Sequence, residues 1–127
     1  MGKRYLVDSN TIIDFCNGKL PDTGKGLLSG IDPEMSIVTN IELFATKDIS
    51  EQEYFLLEKF VAISVVHPVA IDLIKNTIEI RQNYKIKLPD AIIAATALTY
   101  GLILISRNIK DFKKIDRLKV IDPYTSS

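Results

Sequence analysis

The sequence predicts an α/β fold in three layers, a central parallel sheet with helices on both faces. Three observations lead there. Short apolar runs alternate with amphipathic stretches, the signature of βα units. Helix start and stop signals fall between those runs. One stretch, Ala91 to Tyr100, is apolar around most of its circumference and so predicts a central, buried helix. At 127 residues, with no internal repeat or linker, the chain fits one domain over 1–127.

The elements follow in order. Arg4 to Asp8 is a short apolar strand, with Asp8 its last residue. Ser9 caps a helix through about Cys16, and Asn17-Gly18 stops it. Residues 19–33, rich in Gly, Pro and Asp, predict a loop with a short helix around Leu27. Met35 to Val38 is a second strand, and Thr39 caps a helix carrying Glu42 in its first turn. Ser50-Glu51-Gln52-Glu53 is a capping box opening a helix through about Phe60.

Ala62 to Val66 is a third strand. Pro68 starts a long helix with Val69, Leu73, Ile74, Ile78 and Ile80 on or near its apolar face. Leu88-Pro89-Asp90 opens the buried helix, which Gly101 ends. Leu102 to Ile105 is a fourth strand and Lys119 to Asp122 a fifth.

Composition excludes several functions. No apolar run approaches the roughly 20 residues of a membrane span. Met1 runs straight into Tyr5-Leu6-Val7 without the apolar core of a secretory signal, so a cytoplasmic protein is expected. One cysteine, Cys16, allows no internal disulfide. One histidine, His67, rules out a histidine-pair ribonuclease, and with a single cysteine makes a structural zinc site untenable. His67 reads as a strand-end residue, and Cys16 as a small apolar residue on a core-facing helix. Catalysis here must use carboxylates, hydroxyls, amides and lysines.

The net charge is zero. Arg107, Lys110, Lys113, Lys114, Arg117 and Lys119 nevertheless crowd together near the C-terminus. Such a group can hold phosphates, or simply form a solvated surface.

Four acids fall where an open parallel sheet places its sites, beyond the carboxyl ends of its strands. Asp8 ends strand one. Glu42 and Asp90 open helices, and Asp111 follows strand four. Singly, each has a structural explanation as a turn, cap or helix-dipole residue. Together at one edge they would repel strongly unless a cation neutralised them. Hard oxygen ligands favour Mg²⁺ or Mn²⁺, which suits phosphodiester hydrolysis.

The segments around these acids carry a resemblance. Tyr5-Leu6-Val7-Asp8-Ser9-Asn10, Thr39-Asn40-Ile41-Glu42-Leu43, Leu88-Pro89-Asp90-Ala91-Ile92-Ile93-Ala94-Ala95-Thr96-Ala97 and Leu104-Ile105-Ser106-Arg107-Asn108-Ile109-Lys110-Asp111-Phe112 occur in that order. Together they resemble the four acidic segments of a PIN domain, as found in the VapC-type toxins of bacterial toxin–antitoxin pairs. The third is the most specific.

The resemblance implies a sheet of order 3-2-1-4-5 and Mg²⁺- or Mn²⁺-dependent cleavage of RNA. Asp8 and Asp90 would be the core metal ligands. Glu42 would bind metal directly or through water, and Asp111 would complete the site. Asn10, Ser106 and Asn108 would add hydrogen bonds to ligands or phosphate. The fourth segment departs from the family pattern, with Ser106 where Thr is frequent and Asn108 where some relatives carry Asp. Whether Asn108 or Asp111 supplies the fourth group, and whether one metal or two bind, stays open at this level.

The resemblance further implies a homodimer held inactive by a VapB-type antitoxin, with RNA, commonly transfer RNA, as substrate. Leu43, Phe44, Tyr54, Phe55, Leu57 and Phe60 would suit such interfaces or the domain's own core. A haloacid dehalogenase-type phosphatase needs a second Asp where Asn10 stands. A two-component receiver needs an Asp after strand three, where the chain reads Val66-His67-Pro68. A catalytically silent PIN-like module that binds RNA or protein, and a non-toxin RNA-processing nuclease, are the remaining alternatives.

Overall fold

The structure, a computed structural model, describes residues 2–125. Met1, Ser126 and Ser127, the ends of the expected 1–127 domain, lie outside the described residues. The elements run β1 (Tyr5–Val7), α1 (Ser9–Cys16), α2 (Asp22–Ser29), β2 (Glu34–Ser36), α3 (Ile37–Phe44), α4 (Glu51–Ala62), β3 (Val65–His67), α5 (Ile71–Asn83), α6 (Leu88–Tyr100), β4 (Ile103–Ile105), α7 (Ile109–Phe112) and β5 (Val120–Ile121). The strands form one parallel sheet in the order β3-β2-β1-β4-β5. That is the predicted order.

Strand periodicity builds the three layers. Neighbours along a strand point to opposite faces. Leu6 and Leu104 belong to a core with Leu73 and Ile80 of α5 and the alanine-rich face of α6. Val7 and Ile105 belong to a second core with Ile12, Leu28, Leu43, Leu57 and Phe60 from α1 to α4. Both faces of the sheet are covered, which fits the apolar central strands β1 and β4. Among the described residues no helix is long and apolar enough to cross a membrane.

Several predicted boundaries shift, and each shift has a local cause. β1 ends at Val7. Asp8 caps α1 by accepting from the Ser9 amide, so Ser9 is a helical residue and not the cap. Ile37-Val38 looked like strand. Ser36 overrides that propensity by accepting from the Val38 amide at 3.1 Å, so β2 is Glu34–Ser36 and α3 starts at Ile37. Thr39 is then buried inside the helix, and Glu42 lies in its second turn, not its first.

Ser50 caps α4 as expected, with its Oγ accepting from the Glu53 amide at 3.1 Å. That helix runs two residues further than predicted, so β3 starts at Val65 and ends at His67. α5 starts at Ile71 rather than Pro68 and packs on α6 through Leu73, Thr77 and Ile80. Val69, Ile74 and Ile78 are exposed. Thr77 can take an inward position because its hydroxyl donates to the Leu73 carbonyl at 2.7 Å. α6 meets its expectation closely: Pro sits in its first turn and Gly101 ends it in the left-handed conformation at φ 67°.

His67 is a strand-end residue with a structural partner. Buried Glu34 accepts from Arg4 Nε and Nη2 at 2.8 and 2.7 Å. His67 Nε2 lies 2.7 Å from Glu34 Oε1, and its ring stacks on Tyr100 at 4.6 Å. Burial alone would raise the Glu34 carboxyl, but the bonds to Arg4 and His67 outweigh it and hold the group below its usual value.

Cys16 is half-buried on α1, and burial beside Glu53 pushes its thiol up to about 11. It stays protonated at neutral pH and behaves as the apolar residue expected.

Candidate active site at the carboxyl edge of the sheet

Parallel pairing delivers β1 and β4 side by side, in the register Val7↔Ile105. The residues that follow, Asp8 and Ser106, therefore emerge together. Asp8 is 8% exposed, and both its oxygens are held: Oδ1 accepts from the Ser9 amide at 2.8 Å and Oδ2 from the Ser106 hydroxyl at 2.9 Å. Burial raises its pKa, and the bonds from Ser106 and Ser9 only partly offset that rise. Ser106 is fully buried, and its Oγ also accepts from the Asn108 amide at 3.0 Å.

Asp90 stands third in α6, half-buried in the first turn. Its carboxyl is raised first by burial, then by the charges of Asp8 and Asp111, with Lys87 opposing. Glu42 is exposed on α3, and its Oε1 lies 3.4 Å from the Ser9 hydroxyl. Its carboxyl too is raised, by burial first and then by Asp8 and Asp90. Each of these shifts opposes ionisation, so the edge is a place where negative charge is hard to hold.

Asn108 and Asp111 act as a pair. Asn108 is the N-cap of α7, its Oδ1 accepting from the Asp111 amide at 3.4 Å. Its Nδ2 donates to Asp111 Oδ2 at 3.1 Å. The sequence posed the two as alternatives; here the amide grips the carboxylate, and it is the carboxylate whose charge reaches Asp90. Asn10 is exposed in the first turn of α1. Sequence reasoning missed Ser9, whose amide donates to Asp8 and whose hydroxyl meets Glu42; its capping propensity masks that role.

Among the described residues no three His, Cys, Asp or Glu side chains already converge as a metal cage. The donor set still suits a hard dication. It is all oxygen, and burial, joined at Glu42 and Asp90 by neighbouring carboxylates, disfavours its negative charge; Mg²⁺ characteristically takes only one or two carboxylates together with water and phosphate.

The expected basic surface is divided. Arg107 is exposed in the turn between Ser106 and Asn108, and Lys110 is exposed on α7. Lys114 donates to the Lys85 carbonyl at 2.6 Å. Arg117 and Lys119 instead line a cleft of about 890 Å³ with Lys3 and Arg4 at the opposite edge of the sheet. The apolar residues considered for interfaces also divide. Leu43, Leu57 and Phe60 are core, whereas Tyr54 and Phe55 are exposed, near Phe44 and Lys59 respectively.

A three-layer α/β/α domain with acids at the carboxyl edge of a 3-2-1-4-5 parallel sheet is thus defined. The PIN domain profile matches residues 5–118, and the chain belongs to the PIN domain family. A toxin–antitoxin complex from Klebsiella pneumoniae contains a chain 33% identical, with a TM-score of 0.79 over 94% of this chain and 98% of that one. VapBC2 from Rickettsia felis, bound to a DNA fragment from its promoter, is 22% identical with a TM-score of 0.76, over 92% of this chain and 96% of that one; at that identity it shows the fold alone. Ribonuclease VapC1 of Rickettsia felis is 46% identical over 41 residues, which span 32% of this chain and 31% of that protein.

Proposed function

We propose that this chain is a metal-dependent endoribonuclease that cleaves RNA phosphodiesters and serves as the toxin of a VapBC-type toxin–antitoxin pair, inhibiting translation. The observation that carries the reading is the charge field shared by Asp8, Glu42, Asp90 and Asp111 at one sheet edge of a PIN-family chain. The names of its relatives, a ribonuclease and toxin–antitoxin complexes, support it. The whole chain, 1–127, is the catalytic domain, and it works in the cytoplasm where its RNA is found.

Asp8 and Asp90 are the metal ligands, with Glu42 and Asp111 completing the cradle. A bound Mg²⁺ or Mn²⁺ would supply the charge that neutralises the acids, polarise the phosphodiester and lower the pKa of water. Ser106 and Ser9 hold Asp8 in one orientation. Asn108 holds Asp111. Glu42, exposed on α3, would orient the attacking water. Lys87 and Lys110 offset the backbone charge of incoming RNA. Asn10 would donate to a phosphate oxygen. In the cell a VapB-type antitoxin covers this edge, and two copies of the chain form a homodimer.

Brief expression in cells, followed by mapping of new RNA ends, tests this reading. Discrete ends, in transfer RNA or another structured RNA, should appear with the wild type and not with Asp90→Asn. Absence of new ends would support the binding-only alternative. A short antitoxin gene next to this one would separate a toxin from an RNA-processing nuclease.

A further inference from the structure

Arg107 stands between Ser106 and Asn108, two residues that hold carboxylates, yet its own side chain turns the other way. Its guanidinium lies 4.4 Å from the centroid of the Tyr124 ring. The Tyr124 hydroxyl donates to Oδ2 of Asp14 on α1. Asp122 Oδ1 accepts from the Tyr124 amide at 2.9 Å.

The segment carrying Tyr124 is itself anchored. Ile105 pairs with Ile121, and the Ser106 amide donates to the Ile121 carbonyl at 3.0 Å. Pro123 is buried, with its carbonyl against Gly24 so closely that a Cβ at that position would collide with it. Tyr124 is therefore a fixed platform.

These contacts close a circuit. Asp8 caps α1, and Asp14 lies on that same helix. Asp14 takes Tyr124, Tyr124 carries Arg107, Arg107 adjoins Ser106, and Ser106 returns to Asp8. An exposed arginine on a turn would otherwise sample many rotamers and leave the turn free to move. A planar guanidinium on an aromatic face restricts both.

We infer that Tyr124 and Arg107 form a clamp that positions the Ser106 turn, and through Ser106 the Asp8 carboxylate, for phosphodiester cleavage. Both are positioning residues, and their effect on catalysis rests on the function proposed above. The clamp gives the C-terminal segment a part in the active site through Ser106. Small displacements of a catalytic carboxylate reduce turnover steeply without weakening substrate binding.

The test uses the full chain with Arg107→Leu, Tyr124→Leu, their double variant, and the milder Arg107→Lys and Tyr124→Phe. Each single Leu variant should lower kcat for RNA cleavage roughly tenfold and leave KM within about twofold. The double variant should be no worse than either single, because the two residues act as one unit. Arg107→Lys and Tyr124→Phe should fall between wild type and the Leu variants, and they keep the test valid should a Leu variant not fold.

Amide hydrogen exchange gives an arm independent of activity. Exchange at Ser106 and Asn108 should be faster in each folded variant than in the wild type. Losses that multiply in the double variant would overturn the clamp. So would unchanged exchange at both amides. A rise in KM with a reduced salt dependence for Arg107→Leu alone would instead make Arg107 a direct RNA contact. If the wild type cuts no RNA, the proposed function fails, and the exchange arm still decides the clamp.

Discussion

The hydroxyl of Ser106 donates to Asp8 Oδ2 at 2.9 Å, joining residues 98 positions apart across the neighbouring strands β1 and β4. Both groups are buried, so this bond both fixes the Asp8 carboxylate and moderates the cost of burying it. It is the point at which the fold and the site depend on each other.

Ser106→Ala should cost about 1.5–3 kcal/mol, the range for a lost hydrogen bond to a charged group. Denaturant unfolding measures that loss. Cleavage should fall with it, and Ser106→Thr should recover most of both, because the hydroxyl is retained. Equal behaviour of the Ala and Thr variants would contradict the role given to this bond.

Removing an acid should stabilise the metal-free protein. The Asp8, Glu42 and Asp90 carboxyls are all raised in the folded chain. A raised carboxyl binds its proton more readily folded than unfolded, so its contribution worsens as pH rises through the carboxylate range. Asp90 is half-exposed, so solvent screening limits the gain. Asp90→Asn should therefore raise the melting temperature of metal-free protein at neutral pH by roughly 2–4 °C. Millimolar Mg²⁺ or Mn²⁺ should raise the melting temperature of the wild type and have a smaller effect on this variant. Thermal scans with and without EDTA check both.

Glu34 has the opposite sign. Its carboxyl is held below the usual 4.5. Its contribution is present in full above that value and is lost as pH falls below it, through the lower folded-state pKa. Glu34→Gln should destabilise the chain at pH 7 by about 1–2 kcal/mol, the range for hydrogen bonds lost at a buried group, since the Arg4 left behind is largely in water. The difference from wild type should shrink on acidification below 4.5. Urea midpoints measured from pH 7 to pH 3 follow it.

Gly101 ends α6 at φ 67°. Gly101→Ala should cost about 1–2 kcal/mol from the backbone alone, since no neighbouring atom obstructs a Cβ there. Thermal unfolding reads the loss. No loss would mean that the turn relaxes out of the left-handed region.

Much of the fold was legible because local signals agreed with the tertiary outcome. For α6, Pro89, Gly101 and the apolar circumference all pointed one way, and Asp90 came out where it was expected. Glu42 did not, because Ser36 is embedded among the strand-like residues Met35, Ile37 and Val38, and its capping bond decided the boundary. The pairing of Arg4, Glu34 and His67 depends on strand register, which no single sequence displays. The basic residues after β4 are contiguous in sequence but not in space. β5 runs parallel to β4, so Arg117 and Lys119, which precede it, lie at the edge where the strands begin. Asn108 and Asp111 looked like rivals because spacing alone cannot show that one caps the helix on which the other sits.

The most direct test is cleavage of a structured RNA by purified protein, with Mg²⁺ or Mn²⁺ and then with excess EDTA, alongside Asp90→Asn. The account predicts discrete products with either metal, none in EDTA, and none from a folded Asp90→Asn protein. Full cleavage in EDTA, or undiminished cleavage by Asp90→Asn, would contradict it.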